Sequence, residues 1–73
     1  MNDFSSPSKF VDACVAKDKD NSIKIAKLIA KKYNVSLEQE LQILSDMAAI
    51  ALSIDEMTAV FSMIEDIRKY EAS

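Results

Sequence analysis

An all-α protein, a small bundle of helices with no sheet, is what this chain predicts, and three observations predict it. Glycine is absent and proline occurs once, so hairpins that need positive φ have only asparagine and aspartate to build them. Apolar residues recur at three- and four-residue spacing along most of the chain, the period of an amphipathic helix. Ser36-Leu37-Glu38-Gln39 and Ser53-Ile54-Asp55-Glu56 both read as capping boxes, the serine oxygen meeting a free amide of the first turn while the Glu or Gln side chain returns to the serine amide.

The elements follow in order. Ser6 as N-cap with Pro7 at the first helical position starts a helix expected from about Pro7 to Lys17, with Phe10, Val11, Cys14 and Val15 on one face. Polar Asp18-Lys19-Asp20-Asn21 should stop it, and Asn21 or Ser22 should cap a second helix over 22–33. That helix sets Ile23, Ile25, Ala26, Ile29, Ala30 and Tyr33 on one broad side and Lys24, Lys27 and Lys31 on the other. Asn34 is the residue able to take the left-handed conformation that ends a helix when no glycine is at hand.

A third helix begins at Leu37 and carries the stripe Leu41, Leu44, Met47, Ala48, Ala51 and Leu52, with Ile43 and Ile50 forming a second, adjacent stripe. The second capping box predicts a break and a fourth helix from about Ile54 to Tyr70, burying Met57, Val60, Phe61, Ile64 and Ile67; one kinked continuous helix, and so a three-helix bundle, is the competing reading. Residues 1–73 are read as a single helical domain, with 1–5 a flexible amino-terminal tail and 71–73 a frayed end.

Composition narrows function. At 49% hydrophobic and 29% charged the chain is a folding sequence and not a disordered one. A single cysteine, Cys14, allows no intrachain disulfide, and without histidine no conventional zinc site is expected. Small domains usually need such a staple or a partner, so the apolar surplus points to a partner. No apolar leader opens the sequence and no run approaches the ~18 residues of a membrane span. A cytoplasmic protein with no membrane association is expected.

Residues 29–44, IAKKYNVSLEQELQIL, resemble a helix-turn-helix: Ala30, Tyr33, Val35 and Ile43 fit its spacing, and Asn34 stands where glycine makes the turn. Glu40 departs from the pattern, falling where the recognition helix should bury an apolar side chain. Charge argues against DNA as well. Residues 36–52 carry Glu38, Glu40 and Asp46 and no lysine or arginine, so that helix would be repelled by phosphates. The positive charge lies in residues 1–33, with seven lysines against four aspartates, whereas residues 34–73 hold Arg68 and Lys69 against eight acids. The nucleic-acid reading therefore survives only as an alternative, through Lys24, Lys27, Lys31 and Lys32 of the basic helix; solvation of that helix's outer face is the simpler use of those lysines.

Catalysis and cofactors find no foothold. Asp18-Lys19-Asp20-Asn21-Ser22 opens like a calcium loop, but Ile23 stands where glycine should turn the chain and Ile29 where a bidentate glutamate belongs. Cys14 lacks a base to activate it and reads as a small core residue. The neighbouring acids Asp55-Glu56 and Glu65-Asp66 lie on solvent faces. No catalytic, cofactor-binding or metal-binding residue is expected. What remains is a small non-enzymatic protein-binding module, a regulator, adaptor or inhibitor, able to act as a homodimer. Its candidate contact residues are the apolar side chains at the stripe edges, Ile43 and Ile50 on the third helix and Met63 and Tyr70 on the fourth.

Overall fold

The computed structural model describes residues 6–72, which form four helices: α1 (Pro7–Val15), α2 (Lys19–Lys32), α3 (Leu37–Ala51) and α4 (Ile54–Ala72), with no strand among the described residues. The bundle expected from turn chemistry and periodicity is the fold, and the competing continuous helix is ruled out by Leu52, whose extended backbone (φ −102°, ψ 157°) separates α3 from α4. α1 packs on α2 and α4, α3 packs on α4 and α2, and α2 meets α4 across the middle. One apolar cluster joins all four, centred on Phe10, Ile29, Leu41, Leu44, Val60 and Ile67, each almost wholly removed from water.

Local chemistry places the helix starts. Ser6 accepts from the Lys9 amide at 3.4 Å with Pro7 at the first position. At α3 both halves of the capping box are made, Gln39 N to Ser36 Oγ at 3.1 Å and Ser36 N to Gln39 Oε1 at 3.0 Å. The Ser53 box repeats the arrangement at 3.3 and 3.4 Å with Glu56. The ends of α1 and α2 are closed by one motif used twice. Lys17 (φ 58°) and Asn34 (φ 57°) are left-handed. In each case the next amide reaches back five residues, Asp18 N to Ala13 O at 2.9 Å and Val35 N to Ala30 O at 3.0 Å. Asparagine tolerates this backbone; for lysine it is a steric cost.

The expected boundaries need three corrections. α1 stops at Val15, two residues early, and Val15 is exposed where the chain turns away from the core. α2 starts at Lys19 instead of Ser22, because Asp18 serves both helices: its amide closes α1 while its carboxylate accepts from the Asn21 amide at 3.2 Å and side chain at 2.7 Å. Ser22 is thereby a buried residue of the first turns, its hydroxyl donating to the Asp18 carbonyl at 2.8 Å. α4 runs on to Ala72, so Glu71 is helical and pairs with Lys27 at 3.0 Å; Ser73 and the tail assigned to 1–5 lie outside the described residues.

Burial corrects the stripe of α4. Met63 is in the core and Phe61 is partly exposed, the reverse of the expectation. α4 is covered by α1 on one side and α3 on the other, and Met63 lies on the side towards α1, lining a cavity with Cys14 and Val15. The buried face is thus rotated towards α1, and Phe61 is left beside Ser45, Glu65 and Arg68 at the outer edge of the α3–α4 seam.

Candidate interaction surface

The four side chains expected at a partner surface do not come together. Met63 is 6% exposed and belongs to the core, which removes it from any docking face. Tyr70 is exposed on α4, where the Lys19 ammonium sits 5.2 Å from its ring centre. Ile43 and Ile50, exposed by 53% and 87%, remain as a pair seven residues apart on the outer side of α3. Two residues that periodicity assigned to the apolar stripes, and not to a partner surface, join them: exposed Tyr33 at the end of α2 and half-buried Met47. Tyr33, Ile43 and Met47 line a groove of about 430 Å³ between α2 and α3, together with Pro7, Ile29, Leu44 and Glu40.

Glu40 is the anomaly of this surface. It is 3% exposed, on the same side of α3 as Leu44; no hydrogen bond or ion pair among the described residues engages its carboxylate, whose oxygens keep the residue's remaining contact with solvent. Burial alone holds its carboxyl above the ordinary glutamic acid range. The helix-turn-helix spacing had marked this position as one that should be covered; the position is covered, and the residue is an acid. Sequence periodicity could not distinguish it from Glu38, which sits two residues away on the surface. Glu38 binds both Nη2 and Nε of Arg68, at 2.9 and 3.3 Å, with Gln42 3.4 Å from the same guanidinium.

The charge around this surface is one-sided. From Tyr33 to Ile67 there is no lysine or arginine, against seven acids. The chain's sole arginine, Arg68, is engaged with Glu38 and Gln42. All four lysines of the nucleic-acid alternative are exposed on α2. Lys27 is tied to Glu71, the Lys32 ammonium lies 5.7 Å from the centre of the Tyr33 ring, and Lys24 shares a cavity with Lys9 and Asp12. Lys24 and Lys27 thus stand with residues of α1 and α4, whereas Lys32 reaches Tyr33 at the edge of the apolar groove.

The remaining chemistry is quiet. Cys14 is buried, and burial pushes its thiol up to about 11 against a smaller downward pull from the Ser22 hydroxyl 4.0 Å away, so it is held as a neutral thiol. Among the described residues no three acid, cysteine or histidine side chains converge as a metal cage would require, and no helix is long and apolar enough to cross a membrane. No protein-family model, no curated protein and no solved structure matches the chain.

Proposed function

We propose that this chain is a non-enzymatic protein-binding module that docks a partner protein on the outer side of α3 beside the end of α2, and acts as a regulator, adaptor or inhibitor. The observation that carries the reading is the exposure of Ile43 and Ile50 on one side of a helix. Covering an isoleucine removes apolar surface worth about 1.5–3 kcal/mol from water, and two of them flanking an apolar groove form the kind of anchor cluster that dominates interfaces. The lone, neutral thiol of Cys14 suits a reducing compartment, so the cytoplasm is the proposed place of action. Charge favours a partner other than a second copy: a two-fold contact through this face would oppose Asp46, which lies between the two isoleucines, to its own equivalent.

A photoreactive residue at position 50 tests this in the cell of origin, with one at position 24 on the lysine side of α2 as the control. The reading requires a protein adduct from position 50 that is lost when Ile43 is replaced by Asp. An adduct to the chain itself would make it a homodimer. A nucleic-acid adduct from position 24, with none from position 50, would replace it with the nucleic-acid reading.

A further inference from the structure

Glu40 and the groove above it say what chemistry the partner brings. The Glu40 side chain is almost wholly covered while its carboxylate keeps only an edge open to solvent and takes no hydrogen bond or ion pair among the described residues, so its partial desolvation is uncompensated there. Two things relieve it: uptake of a proton, or a positive group delivered from outside. The walls decide what form that group takes. Ile29, Leu44 and Met47 are apolar, Tyr33 and Ile43 stand at the mouth, and the acid lies among them. The complement of an apolar passage that ends at an anion is an alkyl stem that ends in a cation, which is the shape and polarity of a lysine or arginine side chain.

We propose that the α2–α3 groove receives an amphipathic segment of a partner protein that passes one lysine or arginine side chain down to Glu40, while apolar residues on either side of that cation cover Ile43 and Ile50. This rests on the docking reading above and adds the charge of the partner to it. The surroundings select the same sign. The outer side of α3 carries Asp46 between the two isoleucines, and α3 itself holds no cation; Lys32, over the Tyr33 ring, is the cation that stands beside the groove. A basic segment is therefore attracted along its approach and paired at its end, whereas an acidic one is repelled at both.

The experiment uses the full chain, isotope-labelled for NMR, and three synthetic helical peptides with one leucine seam that differ at a single central position: lysine, norleucine or glutamate. Resonances of Tyr33, Ile43, Met47 and Ile50 should shift with the lysine peptide, and it should bind at least ~10-fold more tightly than the norleucine peptide, the scale of a charge-assisted hydrogen bond in a partly dry site. Glu40→Gln should erase that preference and leave the norleucine peptide unchanged. The variant removes a buried charge, so it should fold at least as well as the wild type, and a thermal melt verifies this. Ile43→Asp should weaken all three peptides and supplies a second, independent handle on the same groove. Equal affinity for lysine and norleucine peptides on the wild type overturns the pairing at Glu40 and leaves the apolar docking reading standing. Absence of shifts at those four residues with every peptide overturns both, as does binding that maps to Lys24 and Lys31.

Discussion

α2 and α3 are neighbours of nearly equal length, 14 and 15 residues, packed on each other, yet they divide polarity in opposite ways. α2 keeps closer to the usual rule: Ile23, Ala26, Ile29 and Ala30 face the core and its lysines face water, with Leu28 left 39% exposed. α3 keeps Leu41, Leu44 and Ala48 inside but also hides a glutamate and leaves two isoleucines outside. A helix that obeys the rule is explained by folding alone. One that breaks it at adjacent positions is out of register with its own chain's needs, and such local conflicts are where function is sought. The groove lies where the two helices meet, so the regular helix forms one wall and the irregular one supplies the chemistry.

The largest effect expected from this contrast comes from isoleucine deletion on the two helices. Ile29→Ala in α2 should cost ~3 kcal/mol by urea denaturation, through lost burial and the cavity left behind. Ile50→Ala in α3 should change stability by less than about 0.5 kcal/mol. Similar losses at both sites would mean that the outer side of α3 is packed in the free protein, and the contrast would collapse.

Next in size, Glu40→Gln should stabilise the fold by ~1 kcal/mol at neutral pH, since it removes the desolvation of an unpaired carboxylate. The sign with pH follows from linkage. The folded pKa lies above the unfolded one, so the folded state holds the proton more tightly, and this group's penalty is absent below the unfolded value and grows as pH rises to the folded value. The stability gap between variant and wild type should accordingly be wide at pH 7 and close near pH 3. A gap independent of pH would show that Glu40 is not desolvated.

Caps give a comparable but more local effect, and they sharpen the contrast by showing that both helices start by the same rule. Ser36→Ala at α3 and Asp18→Ala at α2 should each cost ~1 kcal/mol in thermal melts, although one cap is an isolated box and the other is shared with the end of α1. The smallest effect belongs to the two left-handed residues. Lys17→Gly should stabilise by about 0.5 kcal/mol and Asn34→Gly by a few tenths, because asparagine already tolerates that backbone and lysine does not. Equal gains at the two positions would contradict the steric account of Lys17.

Much of the fold was determined by the sequence itself, in places where partners lie within four residues of one another. The serine caps at 6, 36 and 53, the left-handed Asn34 and the break before Ser53 are made by side chains and amides of a single turn, so residue type and spacing specify them. Asp18 escaped because its amide is committed to α1, which made the shared cap visible only once both helices were in place. Only tertiary structure decided the surface. Ile43, Ile50, Met63 and Tyr70 are equivalent in periodicity, each at the edge of an apolar stripe; α1 lies over Met63, whereas Ile50 is left 87% exposed. Glu38 and Glu40 are the same residue type two positions apart, and one meets Arg68 thirty residues on while the other lines the groove with Tyr33 and Ile43. Edge positions have no internal preference for cover or exposure; their fate is set by the rotation of neighbouring helices, a contact between residues far apart in the chain that no local pattern encodes.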